Sequence, residues 1–228
     1  MRKIALAVTL FTLWATGCTS TPPPRRAVQP PPAITTTASV VAEQGPFKPD
    51  ANLYLCPSST VTNAFEAGPD NRVLNFNPVI IVDGKVVMAS VPINNACMTS
   101  GFGLRFGRDH KGIDLKAGVD APIYSAAPGV IRDADFSTGY GNYVVIDHGQ
   151  GVFTRYAHMS RLAPGIVEGA TIGFGQQLGT IGRSGNATGI HLHFEVLTGN
   201  YNTPKRSFGL TARDPMSFPA YTAFGAGS

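Results

Sequence analysis

Apolar positions along this chain fall into short runs divided by glycine-rich turns. Val79-Ile80-Ile81-Val82 and Lys85-Val86-Val87-Met88 flank Asp83-Gly84, two β-rich runs around a tight-turn dipeptide, which predicts a hairpin. Tyr143 to His148 and Val152 to Ala157 flank Gly149-Gln150-Gly151 and predict a second. Between Gly173 and Gly185 a glycine recurs every few residues, which breaks helices and favours turns. His191 to Leu197 alternates and predicts a strand. No stretch of a dozen residues carries a helical period, and no repeat of 20–50 residues is present. The reading is all-β: an antiparallel sheet or sandwich over residues 99–200. A smaller β element over 50–98 precedes it, closed on itself by Cys56 and Cys97. A C-terminal tail, 201–228, packs on the domain.

The first residues follow a different pattern. Met1-Arg2-Lys3 is basic, Ile4 to Trp14 is apolar apart from Thr9 and Thr12, and Ala15-Thr16-Gly17 precedes Cys18. A basic start, a short apolar run and small residues describe a secretory signal over 1–17. The run is about half the ~20 residues that cross a bilayer. Small residues before a cysteine resemble a bacterial lipobox, with Ala15 where leucine is favoured. This implies lipidation at Cys18. Residues 18–49 hold two proline triplets and Thr35-Thr36-Thr37, without apolar periodicity. They read as an extended tether reaching roughly 90 Å. With Cys18 set aside, Cys56 and Cys97 are an even pair in an exported chain, which predicts a disulfide.

Composition narrows the classes. Of 228 residues, 43% are hydrophobic, enough for a core, and only 14% are charged, which disfavours long solvated helices and coiled coils. Gly 26 and Pro 18 make up about 19% of the chain against a usual ~12%, which suits a turn-rich β protein. The net charge is +4 with a pI near 9.1. Without Arg2 and Lys3, 16 basic side chains face 14 acidic ones, leaving +2, no footprint for nucleic acid.

The five histidines carry the candidate chemistry. On a strand His191 and His193 share a face, roughly 6.6 Å apart, with Glu195 on the same side. His110 and Asp114 would lie ~13 Å apart if extended, and Gly112 permits a bend that brings them together. His110, Asp114 and one of His191 and His193 make a two-histidine, one-carboxylate set. Such a set suits a catalytic zinc with an open position for water.

The runs Ser100-Gly101-Phe102-Gly103-Leu104-Arg105 and His110-Lys111-Gly112-Ile113-Asp114 resemble the opening of the lysostaphin/LytM-type zinc metallopeptidase domain. Gly139-Tyr140-Gly141-Asn142, Ile146-Asp147-His148-Gly149, Tyr156-Ala157-His158 and Thr188 to Glu195 follow in the family order, with Ile190 where many members have proline. The resemblance implies that His110, Asp114 and His193 hold one zinc ion and that His158 and His191 are catalytic, without dividing base from acid between them. It matches His148 to no catalytic position. Glu195 is either a carboxylate orienting a ligand histidine or an exposed strand residue. The implied reaction is hydrolysis of stem-peptide cross-links in bacterial peptidoglycan, with D-alanyl cross-bridges favoured. The implied setting is the periplasm of a Gram-negative cell, anchored to a membrane by lipid, and a protein regulator is compatible with it. Two other classes compete: a non-catalytic LytM-type adaptor that activates another hydrolase, and a wall-binding module. A binding module gives no reason for five such residues to occur together.

Overall fold

The computed structural model describes residues 47–57, 63, 65–201 and 209–222. The predicted signal, Cys18 and the tether up to residue 46 lie outside them. In chain order the strands are β1 (Tyr54–Leu55), β2 (Val79–Val82), β3 (Val86–Ala89), β4 (Cys97–Ser100), β5 (Gly103–Arg105), β6 (Arg108–His110), β7 (Ile113–Lys116) and β8 (Pro122–Tyr124). There follow β9 (Gly129–Ser137), β10 (Gly141–Asp147), β11 (Val152–Met159), β12 (Arg161–Leu162), β13 (Thr171–Ile172), β14 (Gln177–Thr180), β15 (Leu192–Gly199) and β16 (Leu210–Arg213). Among the described residues there is no α-helix, and Pro215–Ser217 form a 3-10 turn.

The main sheet runs β1-β4-β7-β15-β11-β10-β9-β13. Its neighbours are antiparallel except β1 and β4, which are parallel and whose paired residues, Tyr54 with Cys97 and Leu55 with Met98, all lie in the 50–98 segment. A parallel pair needs a long connection, and the chain between Leu55 and Cys97 supplies it. β15 is long enough to serve two partners on one side: Leu192–Phe194 pairs with β7, and Val196–Gly199 pairs with β16 of the C-terminal segment.

Both predicted hairpins form. β2 and β3 turn through Asp83 (φ 49°) and Gly84 (φ 67°), the two positive dihedrals a type I′ turn requires. β10 and β11 turn through Gly149, Gln150 and Gly151, all at positive φ. The alternation on β15 does not separate core from solvent, because both faces are covered. Leu192, Phe194 and Val196 join the main core with Ile113, Leu115, Val144, Ile146 and Tyr156. Their alternates, His193, Glu195 and Leu197, are buried on the opposite face.

Cys56 and Cys97 form the predicted disulfide, joining the end of β1 to the start of β4. Apolar side chains of the 50–98 segment, including Leu53, Ile80, Met88 and Ile93, belong to the same core as the main sheet. Phe47, within the predicted tether, also packs there, 4.9 Å from the Tyr124 ring and 5.4 Å from Phe174. Proline-rich composition hid this one large apolar residue. At the other end, Ala220 bridges to Ile80 and Phe218 is buried.

Candidate metal centre

Register builds the site. Ser100 on β4 lies opposite Asp114 on β7, Asp114 opposite His193 on β15, and His193 opposite Ala157 on β11. This row sits on the sheet face turned away from the main core. His110 ends β6, and the chain bends through Lys111-Gly112 to bring it over the row. Gly112 is not at positive φ, so the bend does not use glycine's left-handed freedom. It is required because an added Cβ would collide with the Phe194 carbonyl.

His110 Nε2 lies 3.0 Å from Asp114 Oδ1 and 3.2 Å from His193 Nδ1, and His193 Nδ1 lies 2.9 Å from Asp114 Oδ1. One ligand atom from each of the three falls within 4.8 Å of the others, and all three residues are buried. The outer ring nitrogens are engaged. His110 Nδ1 meets the Gly101 carbonyl at 2.6 Å and His193 Nε2 meets Glu195 Oε1 at 3.0 Å. Carbonyls and carboxylates only accept, so these nitrogens donate, and the inner nitrogens can present lone pairs. Arg105 Nη1 donates to Asp114 Oδ2 at 2.9 Å and to Ser100 Oγ at 3.0 Å, leaving Oδ1 to face the histidines. Two imidazole nitrogens and one carboxylate oxygen, with outer partners in place, fit zinc's preferred donors.

The electrostatics fit a cation. Burial disfavours a charged Asp114, yet hydrogen bonds from His110 and His193 hold its carboxyl far below the usual range. Burial also pulls His193 down, but Asp114 and Glu195 reverse this and raise it to about 9. Without metal His193 therefore carries a proton between two carboxylates.

His158 and His191 stand beside this trio. Asn142 pairs with Met159 but Val144 pairs with Tyr156, so β11 carries one extra residue, a β-bulge, at Ala157-His158. His158 takes the left-handed conformation (φ 60°), and the bulge re-aims its side chain. Its Nδ1 donates to the Ser184 carbonyl at 2.9 Å, leaving Nε2 as the acceptor. Burial, with smaller contributions from His191 and His193, pushes His158 down to about 4, so it is neutral near pH 7. His191 lies just before β15, tied by its backbone N–H to Gly182. Its Nδ1 donates to the Gly189 carbonyl and its Nε2 is 3.6 Å from Asp114 Oδ1. The His158 and His191 ring centroids are 4.8 Å apart. All five residues singled out in the sequence are thus brought together.

His148 lies apart from them. It is fully buried, with Nδ1 on the Pro128 carbonyl (2.8 Å) and Nε2 on Thr154 Oγ1 (2.7 Å). Glu195 is fully buried, which excludes the exposed-strand alternative. Three side chains escaped the sequence reading. Arg105 and Tyr140 sit in the glycine-rich runs 100–105 and 139–142, whose pattern assigns them no task. Arg155, on β11 opposite Glu195, was signalled only by a charge inside an otherwise apolar run.

Residues 108–204 match the model of Peptidase family M23. The chain is 33% identical over 115 residues to the peptidoglycan DD-endopeptidase ShyC of Vibrio cholerae, covering 50% of this chain and 26% of that protein. It is 38% identical over 125 residues to the DD-carboxypeptidase/endopeptidase Mpg of Neisseria meningitidis, covering 50% of this chain and 28% of that one. The chain thus spans about a quarter of the length of these relatives. Among solved structures, a zinc-containing peptidase from Vibrio cholerae superposes with a TM-score of 0.51 at 26% identity, covering 63% of this chain and 47% of that one.

Proposed function

We propose that this chain, whose residues 108–204 match the model of Peptidase family M23, is a zinc-dependent endopeptidase acting on the stem-peptide cross-links of bacterial peptidoglycan. The observation that carries the reading is the convergence of His110, Asp114 and His193 with His158 and His191 alongside. His110 Nε2, Asp114 Oδ1 and His193 Nδ1 are the atoms that would hold the ion. A zinc ion bound there supplies a Lewis acid that polarises the scissile carbonyl and makes water more acidic. Neutral His158, anchored through Nδ1 to Ser184, takes a proton from the attacking water at Nε2. The proton taken by His158 then passes to the leaving amine as the peptide bond breaks, directly or through His191 Nε2, which has a free lone pair while Nδ1 donates to Gly189. Arg105 keeps Asp114 turned with Oδ1 inward.

The relatives named DD-endopeptidases support D-alanyl cross-bridges as the bonds cut. The signal-like start and Cys18 support a lipid-anchored protein of the Gram-negative periplasm, its domain reaching the wall on the tether. A non-catalytic adaptor is disfavoured because no member of the five-residue set is missing. Metal analysis combined with substitution tests the assignment. His110→Ala, Asp114→Ala and His193→Ala should lose both metal and activity. His158→Ala and His191→Ala should lose activity while keeping much of the metal. Retention of metal by His193→Ala together with its loss from His191→Ala would reverse the roles of that pair.

A further inference from the structure

Behind His193, on the side away from His110, lies a group of side chains to which the proposed chemistry gives no task. Glu195 has no exposed surface, and neither has Arg155, whose Nη1 meets Glu195 Oε2 at 2.6 Å. The other carboxylate oxygen, Oε1, accepts from two donors: His193 Nε2 at 3.0 Å and the Tyr140 hydroxyl at 3.1 Å. The Tyr140 ring lies under the Arg155 guanidinium, 4.4 Å from centroid to Cζ, and 6.1 Å from the His193 ring. The Tyr140 carbonyl accepts from the His158 backbone N–H at 2.8 Å, at the bulge that aims that histidine.

A wholly buried ion pair is a poor device for stability, because desolvation of both charges offsets their attraction, and an apolar pair of similar volume often does as well. This pair has a geometric consequence instead. A charged Arg155 fixes one oxygen of Glu195, which fixes the other against His193 Nε2–H and so determines which ring nitrogen faces Asp114. We propose that Glu195, held by Arg155 and Tyr140, is a positioning residue: it locks the tautomer and ring orientation of His193, while the backbone of Tyr140 ties the same unit to the His158 bulge. The inference rests on the zinc-site reading above and adds to it where the ligand histidine gets its orientation.

The experiment measures zinc affinity of the purified full-length chain by competition with a chromophoric chelator. Thermal unfolding of each metal-free variant controls for folding, and the visible spectrum of the cobalt-substituted forms reports ligand geometry. Glu195→Ala should bind zinc about 10- to 100-fold more weakly, the usual cost of removing such an outer partner. Glu195→Gln keeps an acceptor but turns an amide donor toward Arg155 or His193, and should fall between that variant and the unmutated chain. Tyr140→Phe, which keeps the ring, should lose severalfold. The pair replacement Arg155→Met with Glu195→Leu separates positioning from folding: it should unfold within a few degrees of the unmutated chain, yet lose affinity as Glu195→Ala does and shift the cobalt bands. Folded variants all within twofold of the unmutated affinity, with unchanged cobalt spectra, would overturn the inference. If Glu195→Ala does not fold, Glu195→Gln and Tyr140→Phe decide by the same criterion. A complete lack of zinc in the unmutated chain would instead overturn the reading of the site itself, and this inference with it.

Discussion

His193 is held between two carboxylates, and that gives the metal-free protein a proton where the cation should go. With His193 raised to about 9, zinc must displace this proton across the neutral range. Each ion bound near pH 7 should therefore release about one proton, and apparent affinity should fall about tenfold per pH unit below 9. Calorimetry in buffers of different ionisation heat reads this directly; binding without proton release would contradict it. The sign for stability is the reverse. In the metal-free chain the raised His193 contributes stability that is complete below its ordinary value of 6.5 and is lost as pH climbs through about 9. His158 makes a second prediction, from its backbone. At φ 60° any residue with a Cβ is strained by about 1 kcal/mol relative to glycine. His158→Gly and His158→Ala should both be inactive, but chemical denaturation should find the glycine variant more stable by about that amount, the opposite of their order in a regular strand. The donor types at this site were legible in the sequence as a two-histidine, one-carboxylate set, with His193 rather than His191 implied by the resemblance and His191 lying just ahead of β15. The tautomers were not, since they depend on Gly101, Glu195 and Ser184, partners that only folding brings near.

At the scale of elements, β4 couples scaffold to site. It begins at Cys97, tied to Cys56, and ends at Ser100, which meets Arg105, with Gly101 just beyond it meeting His110. The disulfide closes a separation of 41 residues, worth about 4 kcal/mol in the chain-entropy account. Cys56→Ser with Cys97→Ser should lower the unfolding free energy by up to that amount. The β10–β11 turn carries its own pH dependence. Burial, only partly offset by the Pro128 carbonyl, depresses His148 to about 4, below its ordinary 6.5. The unfolded chain then binds the extra proton, so stability should fall as pH drops from about 6.5 to about 4 and level off below. His148→Gln should remove about 3 kcal/mol of that dependence, with His158, shifted the same way, retaining its own share. Hairpins were readable because their signals are local: Asp83-Gly84 names its turn. The parallel pairing of β1 with β4 was not, being a contact across some 40 residues with two strand residues on one side. Nor was the bulge at His158, since one extra residue in β11 leaves the hydrophobic pattern intact while changing where a side chain points.

For the whole molecule, Phe47 is the first described residue and is already buried in the core, and the lipid anchor at Cys18 is a separate proposal with its own test. On that proposal, Cys18→Ser should move the protein from the membrane fraction to the soluble one while leaving zinc content unchanged, because Cys18 is not among the residues that converge at the site. Trp14 is the only tryptophan in the chain, so cleavage before Cys18 should leave a mature protein without indole fluorescence. Central to the account is the proposal that the site formed by His110, Asp114, His193, His158 and His191 hydrolyses wall cross-links. Its most direct test is incubation of the purified full-length chain with cross-linked muropeptide dimers, with products resolved by mass, before chelation, after it, and after zinc is restored. The account predicts conversion of dimers to monomers by hydrolysis at the D-alanyl cross-bridge, lost on chelation and recovered with zinc. Dimers left intact by protein that carries stoichiometric zinc would contradict it.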